Sequence, residues 1–131
     1  MDINDLRIND TKAEGTWIAY GEEAEFLIAS VESKAYQKAL QKIGRKYPPH
    51  KVRTDPKTQI EIAKRAMAEA LVLDFKGVQD QGKALKNTIE NRLRILEVPA
   101  LRNWISDQAQ DIANFQNEGE TADVDDLKSG T

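Results

Sequence analysis

Catalysis needs particular side chains in particular company, and this chain offers few of them. Its 131 residues contain one histidine, His50, and no cysteine. A nucleophile–base pair is therefore hard to assemble, disulfide and thiolate chemistry are excluded, and a zinc site lacks ligands. His50 stands between Pro49 and Lys51, where a lone histidine reads as a surface residue rather than a ligand. Glu61 and Glu69 fall two turns apart on the polar face of a helical pattern, which is not an acid/base arrangement. The seven glycines are scattered and form no phosphate loop, and no Asp/Asn/Glu run has calcium-loop spacing. The reading is a non-catalytic protein with no metal and no cofactor.

What remains is charge and apolar surface, both suited to binding. Lys34, Lys38, Lys42, Arg45, Lys46, Lys51 and Arg53 make residues 33–54 basic, with no acid among them. Such a run can neutralise phosphates, form a solvated face or pair with acids elsewhere in an assembly. No base-reading motif accompanies it, so nucleic acid is the less favoured partner. The opposite charge lies at the ends, as Asp2, Asp5, Asp10 and Glu14 and then as Glu118, Glu120, Asp123, Asp125 and Asp126. A basic middle and acidic ends predict head-to-tail self-association, hence a homo-oligomer. No run approaches the roughly 20 apolar residues of a membrane span, and the first residues have no signal-peptide character. The expectation is a soluble protein of the cytoplasm that touches no membrane.

The elements that must position these groups follow from periodicity. The stretch from Pro56 to Val78 reads as the central core helix. Asp55 stands at its cap and Pro56 at its first position. Ile60, Ala63, Met67, Ala70 and Leu71 repeat at helical steps, with Ile62, Ala66, Leu73, Val72 and Phe75 widening the apolar face. Lys76 is then placed at the helix C-terminus, and Gly77 stops it. Upstream, Thr16–Tyr20 and Ala24–Ala29 read as a β-hairpin around Gly21, with Ala24, Phe26 and Ile28 on one face. A helix over Glu22–Val31 is the alternative. Ser33 caps an amphipathic helix carrying Tyr36, Ala39, Leu40 and Ile43, and Pro48-Pro49 predicts a loop.

Asn87 or Thr88 caps a short helix with Ile89, Leu93 and Leu96 on one stripe. Pro99 opens a last helix reaching Gln116, with Leu101, Trp104, Ile105, Ile112 and Phe115 inward. Trp104 and Phe115 are its expected core anchors. The fold class is mainly α: an N-terminal β-hairpin packed on a bundle of about four helices, a helix-dominated α+β domain. Residues 1–14 read as a partly ordered acidic arm, 15–116 as a single globular domain, and 117–131 as a disordered acidic tail.

Particular residues in order carry a resemblance beyond composition. They are Gly15-Thr16-Trp17 with Tyr20-Gly21, Ala24 to Ser30, Tyr36 to Leu40, Ala68 to Leu73, Phe75-Lys76-Gly77-Val78, Leu101 with Ile105, and Asp111 to Phe115. Through these the chain resembles the tail assembly chaperones of long-tailed bacteriophages and prophages. It departs from their pattern over Gln79–Thr88 and at Phe75, where related sequences tend to have tryptophan. The resemblance implies a non-catalytic protein that coats the helical tape-measure protein, helps recruit tail tube subunits and then leaves. It implies a host-cell cytoplasmic location, absence from the finished virion and, in many relatives, a longer frameshifted product. The candidate partner-contacting residues are Phe75, Lys76, Gly77 and Val78 at the exit of the central stretch, with Lys38, Lys42, Arg45 and Lys46 in the basic run. The alternatives are a nucleic-acid-binding or regulatory module using residues 34–53, and a structural head–tail connector subunit.

Overall fold

The alternation of Ala24, Phe26 and Ile28 resolves as a strand, because a short turn precedes it and helices back its apolar face. In the computed structural model, which describes residues 1–117, β1 (Thr16–Tyr20) and β2 (Ala24–Ile28) pair antiparallel. Thr16 stands opposite Ile28 and Tyr20 opposite Ala24. Gly21 turns between them at a φ of 68°, a region open to glycine at no steric cost.

The helical pattern of the central stretch runs on to Gly77, yet the structure ends that helix at Ala70. The N–H of Ala29 donates to the carbonyl of Leu71 at 2.9 Å and draws the chain to the sheet. Val72–Lys76 then forms β3, antiparallel to β2, with Phe75 opposite Phe26 and Val72 opposite Ile28. Leu73 is the extra residue of a bulge in this pairing. Without β3, β2 would leave a row of backbone donors and acceptors unpaired, and Val72 and Phe75 suit a pleated surface. The sheet therefore has three strands in the order β1-β2-β3. Lys76 and Gly77 close a strand, not a helix. Beyond them β4 (Gln79–Asp80) and β5 (Lys83–Ala84) make a small hairpin, with Gln81 and Gly82 both at positive φ as tight hairpin turns require.

Six α-helices surround the sheet among the described residues: α1 (Asp10–Glu14), α2 (Lys34–Gly44), α3 (Pro49–Thr54), α4 (Pro56–Ala70), α5 (Ile89–Leu96) and α6 (Pro99–Gln110). The protein is a helix-dominated α+β fold. Ser33 and Thr88 cap α2 and α5, their hydroxyls accepting from the N–H of Tyr36 and Asn91 at 3.3 and 3.1 Å. The Pro48-Pro49 pair starts α3 rather than a loop. Pro49 occupies the first helical position, where its missing N–H goes unused, and the N–H groups of Lys51 and Val52 both reach the Pro48 carbonyl.

α4 is the central helix and packs against α2, α3, α5 and β3. Ile62, Ala66, Met67, Ala68 and Ala70 are buried along it, whereas Ile60 is exposed on the outer side of the stripe. Phe26, Ile28, Leu71, Val72, Leu96, Ile105 and Phe115 are almost fully enclosed. Burying each such side chain stabilises the fold by about 1.5–3 kcal/mol.

The last helix stops short of its expected length. At Asp111 the carboxylate accepts from the N–H of Ala113 and starts a 3-10 turn over Ile112–Phe115. That change of pitch turns Ile112 outward and drives Phe115 into the core. Trp104 is half-buried, set edge-on to Tyr20 at 4.9 Å and 5.7 Å from Phe26, so it joins α6 to the sheet. Residues 1–14 carry a 3-10 turn (Ile3–Leu6) and α1, and bridge to the far end of the domain at Ile8 and Gln116. Asn9 N–H donates to the Phe115 carbonyl and Asn117 N–H to that of Arg7. The expectation of a disordered tail lies, from residue 118 onward, outside the described residues.

Candidate functional site: an apolar groove between three helices

The end of α2, the C-terminal turns of α4 and the first two turns of α5 leave a groove of about 380 Å³ between them. Its lining combines Ile43, Lys46 and Tyr47 with Arg65, Ala68 and Glu69 and with Ile89 and Leu93. The groove exists because α4 presents Ala68 there, a small residue that leaves space where a larger one would close the seam. Ile89 remains 47% exposed at the opening. Aliphatic and aromatic walls in an open groove suit the apolar face of a helix better than a small polar substrate.

Polar contacts fix each wall. Arg92 donates to the Ala68 carbonyl at 2.9 Å and to Asn87 Oδ1 at 2.7 Å, while Asn87 Nδ2 donates to the Leu73 carbonyl. These bonds clamp the start of α5 to α4 and to the β3 bulge. Arg102 donates to the Leu96 carbonyl at 2.9 Å and holds the other end of α5 on α6. Lys64 bridges α4 to Glu97 at the close of α5 and also meets Glu61. The Glu97 carboxylate, helped by Glu61, holds the Lys64 ammonium above the usual lysine range. At the rim, Arg65 bonds Glu61 at 2.7 Å and Lys42 pairs with Glu69 at 2.7 Å. The groove is thus an apolar slot bordered by Arg65 and Glu69, which pair with Glu61 and Lys42, and by Lys46, which forms no ion pair among the described residues.

The candidate contact residues separate in space. Phe75 is a core residue, 7% exposed, with its ring 6.4 Å from that of Phe26. Lys76 is exposed, and its ammonium sits 4.3 Å above the centre of the Trp17 ring. Gly77 presses against the backbone of Glu23. Val78 lines a smaller depression of about 220 Å³ with Leu85, Ile95 and Leu101. Lys46 reaches the three-helix groove, Lys42 pairs beside it, Arg45 is exposed at the end of α2, and Lys38 borders a different cleft. The two candidate groups share no groove. Ile89, Leu93 and Tyr47 were the residues to find. Ile89 and Leu93 show in sequence as the stripe of a short helix, and only the packing leaves them open.

Among the described residues no group of three or more His, Cys, Asp or Glu could hold a metal ion. No helix among them is long and apolar enough to cross a membrane. The family model of the YdaY prophage protein matches residues 31–126. The chain belongs to that prophage family. The match begins just before α2 and extends past the last described residue, so it spans every residue that lines the three-helix groove. No curated protein and no solved structure matches the chain.

Proposed function

We propose that this prophage protein is a non-catalytic tail assembly chaperone. It binds the tape-measure protein through helix-in-groove contacts, helps recruit tail tube subunits in the host cytoplasm, and departs before the virion is complete. The observation that carries the reading is the apolar groove between α2, α4 and α5, lying wholly within the segment matched to a prophage family. Its walls offer Ile43, Tyr47, Ile89 and Leu93 to a client's apolar stripe, with Lys46 at the border. One such groove gives modest affinity. Many copies arrayed along one long helical client multiply it while leaving each contact reversible.

The test is co-expression with the tape-measure protein of the same prophage, followed by size-exclusion chromatography at low and high salt. Co-elution should persist at high salt, because apolar contact is not screened. Ile89→Asp should abolish it while the melting temperature changes little, since surface substitutions stay within about 0.5 kcal/mol. A complex that survives Ile89→Asp, or no complex at all, ends this reading. The exposed cations of α2 favour a second reading, phosphate binding, in which affinity for a DNA duplex falls steeply with salt.

A further inference from the structure

Charge around the three-helix groove is balanced on the α4 side and unbalanced on the α2 side. Lys42 pairs with Glu69, Arg65 with Glu61, and Lys64 with both Glu61 and Glu97. Three cations thus meet three carboxylates of the same fold, and none of these charges is left for a partner to neutralise. Lys46 is the exception. It lines the groove and is exposed, yet it forms no ion pair among the described residues. The facing wall carries no charge at all, since α5 contributes only Ile89 and Leu93 to the lining.

The backbone fixes where that charge stands. α2 ends at Gly44, and the next residues turn tightly: the Lys46 N–H donates to the Ile43 carbonyl at 3.0 Å and the Tyr47 N–H to that of Gly44 at 3.2 Å. Lys46 is thereby set at the lip between Ile43 and Tyr47, both of which line the groove. A lysine so placed can lay its stem along the apolar wall and keep its ammonium in water. A helix seated on Tyr47, Ile89 and Leu93 takes part of that water away. A cation that loses water without gaining a partner weakens the complex, whereas a carboxylate beside it supplies a charge-assisted hydrogen bond. A second cation there is repelled. With no charge on the α5 wall, only one flank of the seated helix is discriminated.

We propose that the groove selects an amphipathic helix whose apolar stripe is flanked on one side by carboxylates, and that Lys46 is the residue that makes the selection. The stripe supplies affinity through Ile43, Tyr47, Ile89 and Leu93, and the acidic flank supplies the choice between clients. The inference rests on the helix-in-groove reading given above, and adds to it the charge of the partner and the residue that reads it.

The test uses three fluorescein-labelled peptides of about 20 residues, long enough to hold a helix in water. They share one leucine stripe at helical spacing and differ on a single flank, which carries Glu, Gln or Lys. Their binding to the full-length protein is read by fluorescence anisotropy at low salt. The Glu peptide should bind about tenfold more tightly than the Lys peptide, with the Gln peptide between them. Lys46→Gln should bring the three together, and Lys46→Glu should reverse their order. Both variants should melt with the unaltered protein, because Lys46 is exposed. Ile89→Asp should abolish binding of all three, which places them in the groove. Equal affinities on the unaltered protein overturn the selection and leave the groove reading standing. An order that persists in Lys46→Gln overturns it as well, since another charge then makes the choice. Binding that survives Ile89→Asp lies elsewhere and overturns the proposal, and a failure of all three peptides to bind removes it together with the groove reading.

Discussion

A Cβ atom placed on Gly77 would stand 1.8 Å from the carbonyl oxygen of Glu23. Where β3 ends, the chain folds down against the turn that joins β1 to β2. Gly77 also has a φ of 74°, so both space and backbone conformation require glycine there. Gly21 makes a useful contrast, with a φ of 68° and nothing within 4 Å of its would-be Cβ. Gly77→Ala should therefore destabilise by more than Gly21→Ala, for which the left-handed conformation alone costs about 1–3 kcal/mol. Urea unfolding of the two variants checks this. Equal losses would mean that the Glu23 contact yields freely.

The ammonium of Lys76 over the Trp17 ring joins the two edge strands across β2. Such a contact at an exposed site contributes about 0.5–1 kcal/mol. Lys76→Ala should lose that amount and alter the fluorescence of Trp17, whereas Lys76→Arg should keep most of it. Thermal melts and emission spectra read both effects. An unchanged Trp17 emission in Lys76→Ala would count against the contact.

Phe115 and Trp104 should differ in their contribution to the core. Phe115 is fully enclosed, and its carbonyl receives the N–H of Asn9. Phe115→Ala should cost about 3–5 kcal/mol. Trp104 keeps a wet side and should cost less on truncation, although its edge-on contact with Tyr20 is lost as well. The order of the two urea midpoints decides the matter.

Acid should weaken the start of α4. The Thr58 hydroxyl donates to the Asp55 carboxylate at 2.7 Å and, with the Lys57 amide and the Lys51 charge, holds that carboxyl below the usual aspartate range. A group lowered in the folded state contributes stability that is present above its unfolded value, near 3.8, and is lost as pH falls through the folded value. Thr58→Ala should move the Asp55 titration upward, and Asp55→Asn should remove this part of the acid sensitivity. Carboxyl NMR titration and melting temperatures taken below about pH 5 test both.

What was legible in the sequence was local. The Ser33 cap, the alternation of Ala24, Phe26 and Ile28, and the stripe of Tyr36, Ala39 and Ile43 follow from side chains acting on near neighbours, while the α5 cap was narrowed to Asn87 or Thr88 and the structure selects Thr88. The helix-dominated α+β class follows from the same periodicities. Proline context was half legible: Pro56 marked the start of α4, while Pro49 disguised the start of α3.

The tertiary structure decided the rest, because distant partners competed with local preference and won. Leu71 to Phe75 continue a helical pattern, but β2 has an open edge, and the Ala29 N–H takes the Leu71 carbonyl. Pairing with a strand more than forty residues upstream outweighs one more turn of helix, and no period read within the segment reports it. The groove has the same origin. Ile89 and Leu93 form an ordinary apolar stripe until Arg92, Asn87 and Arg102 fix where α5 lies. Sequence set which residues are apolar. Which of them stay open to a partner depended on how closely three helices approach, and that distance is a property of the packed chain rather than of any one segment.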